Sequence, residues 1–232
     1  MVEHIEETFL SCNLRYRFEY LSKFLHFTKD DIITLNNLEL VLHPALTTLV
    51  DKLYDKLLQF DITKRYFLMR NSGFDGKMET DESEITANCP QLRFRKEKFI
   101  KYLSRVLKET DWNDSFLQFL STVGKVHTNF AGSHSIDIDY IHMNLLLAYL
   151  HHTLFDHILN NQDIQQSQRS NFLFSLNKFL WIQNDFFTMH YFFTTRADHH
   201  NQLIQVKHHK KVDFLFISLI HILFCSFLGL YQ

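Results

Sequence analysis

The residue with the clearest chemical potential is His127, because of where its helix places it. In WNDSFLQFLSTVGKVHTNF, Phe116, Leu120, Val123, His127 and Phe130 are spaced 4, 3, 4 and 3. All five therefore project from one side of a helix read over about 112–129, and an imidazole stands within an apolar stripe. Gly124 lies one turn earlier on nearly the same side, where it removes side-chain bulk beside the ring. It does so at a cost of about 1 kcal/mol in helix propensity. A flat cofactor fits such a gap, and an imidazole nitrogen is the usual protein donor to the iron of haem. A histidine on an apolar face also serves as an ordinary core residue with its nitrogens satisfied, and fifteen histidines make that alternative common in this chain. From the stripe alone both readings stand.

Other chemistry is poorly supported. Neither CxxC nor HExxH occurs, and His151 and His152 are neighbours that point in different directions on a helix. There is no phosphate-binding glycine loop, dinucleotide glycine pattern or serine nucleophile elbow. The acidic residues of 79–84 fall in an expected loop and serve to keep it solvated. His199, His200, His208 and His209 sit among lysines and read as a pH-sensitive basic linker. With 24 Lys+Arg against 26 Asp+Glu, the chain lacks the basic excess of a general nucleic-acid binder. Three widely spaced cysteines argue against a disulfide framework and for a reducing, cytoplasmic setting.

The elements that must position His127 read as helices throughout. Only 2 Pro and 5 Gly are present in 232 residues, too few for a turn-rich β architecture. Both prolines stand where a helix would begin, Pro44 before a helix to about 60 and Pro90 before one that carries Phe99, Leu103 and Val106. Thr28 and Asp31 form a capping pattern for a helix whose apolar face is Ile32, Leu35, Leu38 and Leu42. Asp61 caps a short helix, residues 71–88 form a long loop, and Asp111 caps the helix that bears His127. A helix over about 138–160 turns Ile141, Leu145, Leu146, Tyr149, Leu150 and Leu154 inward. The last of the series runs over about 168–194, with Leu173, Leu176, Leu180 and Phe187 on one stripe. Seven or eight such helices must pack as a bundle or a globin-like array.

Five segments in order resemble the protoglobin and globin-coupled-sensor family: FLHFTKDDIITL (24–35), LVDKLYDKLLQF (49–60), QLRFRKEKFIKYL (91–103), VGKVH (123–127) and WIQNDFF (181–187). The resemblance covers about residues 14–193. It implies an all-α, globin-like helical sandwich with an extra N-terminal helix, holding haem b, with His127 as the proximal iron ligand. It further implies that Tyr54 matches the distal tyrosine and that Phe99 packs over the distal face. Leu146 and Leu150 match the distal wall. Leu53 stands where an archaeal protoglobin can carry a bulkier Trp beside its apolar tunnels.

What the resemblance implies for function is a haem protein that reversibly binds O2, CO or NO, as a carrier or single-domain sensor. A haem-dependent nitric-oxide dioxygenase and a haem-free helical interaction protein are the alternatives. Sensor members continue into a signalling domain, for which this chain has no room, so the expectation is a stand-alone protein. Dimerisation through the last helices of the globin domain is a further implication. The expected organisation is a globin domain over 11–195, a basic polar linker over 196–213 and an apolar C-terminal helix over 214–232. Its stretch 214–230, FLFISLIHILFCSFLGL, carries no formal charge and reads either as a membrane anchor or as a buried or dimerising helix.

Overall fold

A computed structural model describes the backbone of residues 2–202 and the side chains as far as Phe192. Its first compact unit covers residues 1–194, and all that follows concerns that unit. The apolar stretch 214–230 and most of the basic linker lie outside the described residues. No strand occurs among the described residues, and no described helix is long and apolar enough to cross a membrane.

The chain opens with α1 (Glu7–Cys12) and α2 (Leu14–Leu25), separated at Asn13, whose extended backbone breaks the helix and whose side chain accepts from the Tyr16 amide. His26 ends α2 in the left-handed region at φ 51°. α3 (Lys29–Leu42) then starts on the expected capping box, with the Thr28 amide donating to Asp31 at 2.8 Å. The same carboxylate takes Ser175 Oγ at 2.7 Å and Lys178 Nζ at 2.9 Å. Burial works to raise the Asp31 pKa, but these hydrogen bonds outweigh it and hold the carboxyl below its usual value.

Pro44 does not open an α-helix directly. It lies in a 3-10 turn, His43–Ala45, and α4 (Leu46–Leu58) follows it. α5 (Asp61–Lys64) runs into a second 3-10 turn at Arg65–Leu68, and the residue at its N-cap is Phe60 rather than Asp61. The loop that follows is partly packed: Ile85 is buried against Phe67, Cys89 and Leu92. α6 (Pro90–Lys108) has Pro90 at its first position, as expected. α7 (Asp114–Val126) is capped by Asn113, which accepts the Phe116 amide at 3.1 Å. The expected cap, Asp111, instead accepts from the Asn113 side chain.

α8 (Tyr140–Asn160) buries Met143, Leu150, Leu154 and Ile158. Ile141 and Leu145 are exposed, contrary to the reading of the sequence, because the face that meets the core runs through 143, 150, 154 and 158. α9 (Gln166–Gln202) continues past the expected end at 194. Its Phe172, Leu176, Phe179, Leu180 and Phe186 join α3, α4, α6 and α7 in one core. Every Leu or Phe so buried contributes on the order of 1.5–3 kcal/mol.

Candidate functional site

His127 is the residue after the last turn of α7, and its half-buried ring lines a cavity of about 570 Å3. That volume lies in the range of cofactor sites. The ring Nδ1 stands 2.7 Å from the Val123 carbonyl oxygen. A carbonyl only accepts, so Nδ1 carries the proton and Nε2 keeps its lone pair. Burial drives the His127 pKa down to about 4, against the raising effect of the Val123 bond. The imidazole is therefore neutral at pH 7, the form that coordinates a metal.

The backbone around His127 is fixed as firmly as its ring. The His127 carbonyl accepts from the Ile138 amide at 2.9 Å and from the Tyr191 hydroxyl at 3.1 Å. Tyr191 also reaches the Ile138 carbonyl at 2.6 Å, so α9 clamps the strap 134–138 against the end of α7. Phe187 of α9 meets the imidazole edge-on at 5.3 Å between centroids.

Gly124 has a different role from the one its sequence position indicates. A Cβ there would stand 2.9 Å from the Phe186 carbonyl oxygen and 3.1 Å from His190 Cδ2. The space it frees is occupied by α9. Glycine lets two helices approach closely and leaves no gap for a cofactor. Phe130, expected on the same stripe, lies past the end of α7 in the turn Asn129–His134 and is exposed.

Leu53 and Tyr54 on α4, Phe99 on α6, and Leu146 and Leu150 on α8 all line the cavity that His127 enters. Helical spacing singled out His127 and the family resemblance the other five, and the fold brings all six to one chamber. Phe99 stacks on Tyr102, whose hydroxyl donates to Gln183 Oε1 at 2.9 Å. Tyr54 packs on Phe67 at 5.9 Å, and its hydroxyl makes no hydrogen bond among the described residues. Burial raises the Tyr54 pKa, so it stays a protonated donor. A smaller apolar cavity of about 240 Å3 lies between α4 and α8 and shares Leu53, Leu57 and Leu146 with the larger one.

The sequence reading missed the cationic edge of the chamber. Arg95, Lys98, Lys101 and Arg105 line it from one face of α6, and no Asp or Glu lines it. Their spacing of 3, 3 and 4 in RFRKEKFIKYLSR was the available signal, obscured because polar residues on a helix normally face solvent. Lys98, Lys101 and Arg105 are exposed at the mouth, whereas Arg95 is buried. Lys98 is held by Asn71 Oδ1 at 3.2 Å and by the Ser72 carbonyl.

These residues fit haem. The neutral imidazole of His127 lines a largely apolar chamber, and cations without counter-charges stand at its edge, where a cofactor's two carboxylates would lie. Among the described residues no three His, Cys, Asp or Glu side chains gather as a metal site. A metal held by His127 must therefore bring most of its ligands with it, as a macrocycle does.

A family model described as Protoglobin matches residues 14–196. No curated protein matches the chain significantly. Among solved structures, the globin domain of the Geobacter sulfurreducens globin-coupled sensor is similar over 75% of this chain and 96% of that chain. The TM-score is 0.57 and the sequences are 16% identical, a likeness that shows the fold.

Proposed function

The chain belongs to the protoglobin family of haem-based gas-binding globin domains, and from that premise we propose that it binds haem b through His127 and reversibly takes up O2, CO or NO. The observation that carries this reading is the His127 ring: Nδ1 is bonded to Val123, Nε2 makes no hydrogen bond among the described residues, and the residue lines the large apolar chamber. Haem, when bound, supplies an iron centre that accepts a diatomic gas.

The protein's own residues do the rest. Val123 and Tyr191 fix the imidazole and its backbone. Phe99, Leu146 and Leu150 wall the chamber and exclude water. Tyr54, with its hydroxyl uncommitted, would donate a hydrogen bond to a gas held in the chamber. The small cavity beside Leu53 is an apolar route by which a gas enters between α4 and α8. Lys98, Lys101 and Arg105, at the mouth, would hold the cofactor's carboxylates.

We assign the protein the role of a gas carrier or single-domain sensor, placed in the cytoplasm and dimerising through the last helices. Absorption spectra of the purified chain with added haem test the reading. A Soret band that shifts on reduction and again with carbon monoxide, and that is lost or altered in His127→Ala, is the expected result. No Soret band, or one unchanged in His127→Ala, overturns it.

A further inference from the structure

The small cavity between α4 and α8 is built differently at its two ends. Its inner end is the aliphatic wall that it shares with the large chamber. Its outer end is formed by Lys56, Phe60, Leu145 and Tyr149, none of which lines the large chamber. Phe60 and Leu145 are exposed, and so is Ile141, one turn before Leu145 on α8, so the mouth has an apolar lip. Lys56 is the only Lys or Arg of the lining, and no Asp or Glu stands there.

The half-buried Lys56 is held across this mouth by two aromatic faces. Its Nζ lies 5.3 Å from the Phe60 ring centroid and 5.8 Å from that of Tyr149, which ties α4 to α8 over the opening. It donates to the uncharged Gln59 Oε1 at 3.1 Å and joins no ion pair among the described residues. Rings and an amide orient this charge without neutralising it. A complementary ligand therefore has one anionic head and one slender apolar chain. At about 30 Å3 per water-sized group, a cavity of about 240 Å3 has room for about eight methylenes.

We propose that this cavity takes a medium-chain fatty acid, with its carboxylate on Lys56 Nζ and its chain between α4 and α8, and that the bound chain closes this way into the large chamber. The closing rests on the reading of the cavity as a gas route, whereas the binding rests on the cavity and Lys56 alone. One ammonium matches one monovalent head, and a neutral or cationic amphiphile of the same length gains nothing from it.

The test uses the full chain loaded with haem. Calorimetry follows the binding of sodium decanoate, 1-decanol and decyltrimethylammonium, each below its micelle concentration. Flash photolysis of the reduced carbon monoxide complex follows gas entry. Decanoate should bind, and Lys56→Gln should weaken it by about three- to ten-fold, the range for a partly exposed charge-assisted contact. Decanol should bind more weakly than decanoate and ignore Lys56→Gln. Leu145→Glu, at an exposed position, sets a like charge at the mouth and should weaken decanoate at least as much. Saturating decanoate should slow carbon monoxide association in wild type, and the rate should recover in Lys56→Gln at the same decanoate concentration.

A decanoate affinity that ignores both substitutions overturns the inference. Decanol that binds as tightly as decanoate also overturns it, as does loss of the Soret band on adding decanoate, which places the chain in the cofactor chamber instead. Decanoate that binds through Lys56 but leaves the association rate unchanged overturns the closing. A chain that takes up no haem overturns the haem reading and the closing with it, and the same titrations of the haem-free chain and Lys56→Gln then decide the binding. A loaded chain indifferent to Lys56 overturns this inference alone.

Discussion

The two walls of the chamber are built on opposite principles. On the side of α7 and α9 the His127 polar groups are spent on fixing the ring. Nδ1 is bonded to Val123, and the His127 carbonyl to Ile138 and Tyr191. Only Nε2 is left. On the side of α4 and α6, the Tyr54 hydroxyl and the Arg95 Nε–H make no hydrogen bond. A wall with every group but one committed holds its remaining atom in a fixed direction. The second wall leaves the Tyr54 hydroxyl, which lines the chamber, without a hydrogen bond among the described residues, so it can still donate to an occupant. The first is a mount and the second a receptor.

The sharpest way to break this comparison is to remove the mount. His127→Ala should weaken haem binding by more than the roughly 10–100-fold that loss of a supporting partner costs a metal site. Haem retention on gel filtration measures it, and free imidazole should restore part of the spectrum. The next effect is on stability. In the haem-free protein the His127 pKa is held at about 4, against about 6.5 in the unfolded chain. As the pH falls from about 6.5 toward 4 the unfolded chain takes up a proton that the folded one refuses. Stability is thus lost on acidification by an amount on the order of 3 kcal/mol, and none of this loss is present above about pH 7. Urea melts of haem-free wild type and His127→Leu across that range should diverge, with the variant flatter. Asp31 acts lower: its depressed pKa contributes stability that disappears only below about pH 4.

Smaller effects sharpen the comparison. Gly124→Ala should destabilise the fold by about 1–3 kcal/mol in spite of better helix propensity, because the new methyl meets the Phe186 carbonyl. Thermal melts read this directly, and a stabilised variant would mean that α9 does not pack so closely on α7. Tyr191→Phe removes one support of the His127 carbonyl and should weaken haem binding by about ten-fold, the low end of what a supporting partner contributes. On the receptor wall, Tyr54→Phe should leave haem retention intact and speed dissociation of O2 by about ten-fold, which stopped-flow kinetics measures. Loss of haem from Tyr54→Phe would show that the second wall is also structural.

Much of this was legible in local sequence, and the parts that were not share a cause. Thr28 and Asp31 announce their cap because both partners lie within one turn. Pro90 marks a helix start through its own ring. Leu53, Tyr54, Phe99, His127, Leu146 and Leu150 were found through helical spacing and resemblance, and they meet in one chamber. What local reading could not supply was the identity of the facing element. Gly124 reads as a gap for a ligand until α9 is seen to fill it. Ile141 and Leu145 continue an apolar run, but the helix phase is set by partners far away in the chain. Asp111 and Asn113 are both good caps, and two residues of backbone geometry decide between them. Arg95 looks like one more solvent-facing charge, and only the turn of residues 66–69, whose carbonyls it meets, makes it a buried one.

Two other imidazoles, His134 and His142, line the same chamber, and His142 Nε2 is buried without a partner. The decisive measurement is therefore the iron–histidine stretching band of the reduced, haem-loaded protein by resonance Raman spectroscopy. It should be run on wild type, His127→Ala and His142→Ala. The band should be present in wild type, persist in His142→Ala and vanish in His127→Ala. A band that survives in His127→Ala, or disappears in His142→Ala, contradicts the assignment of the mount to α7.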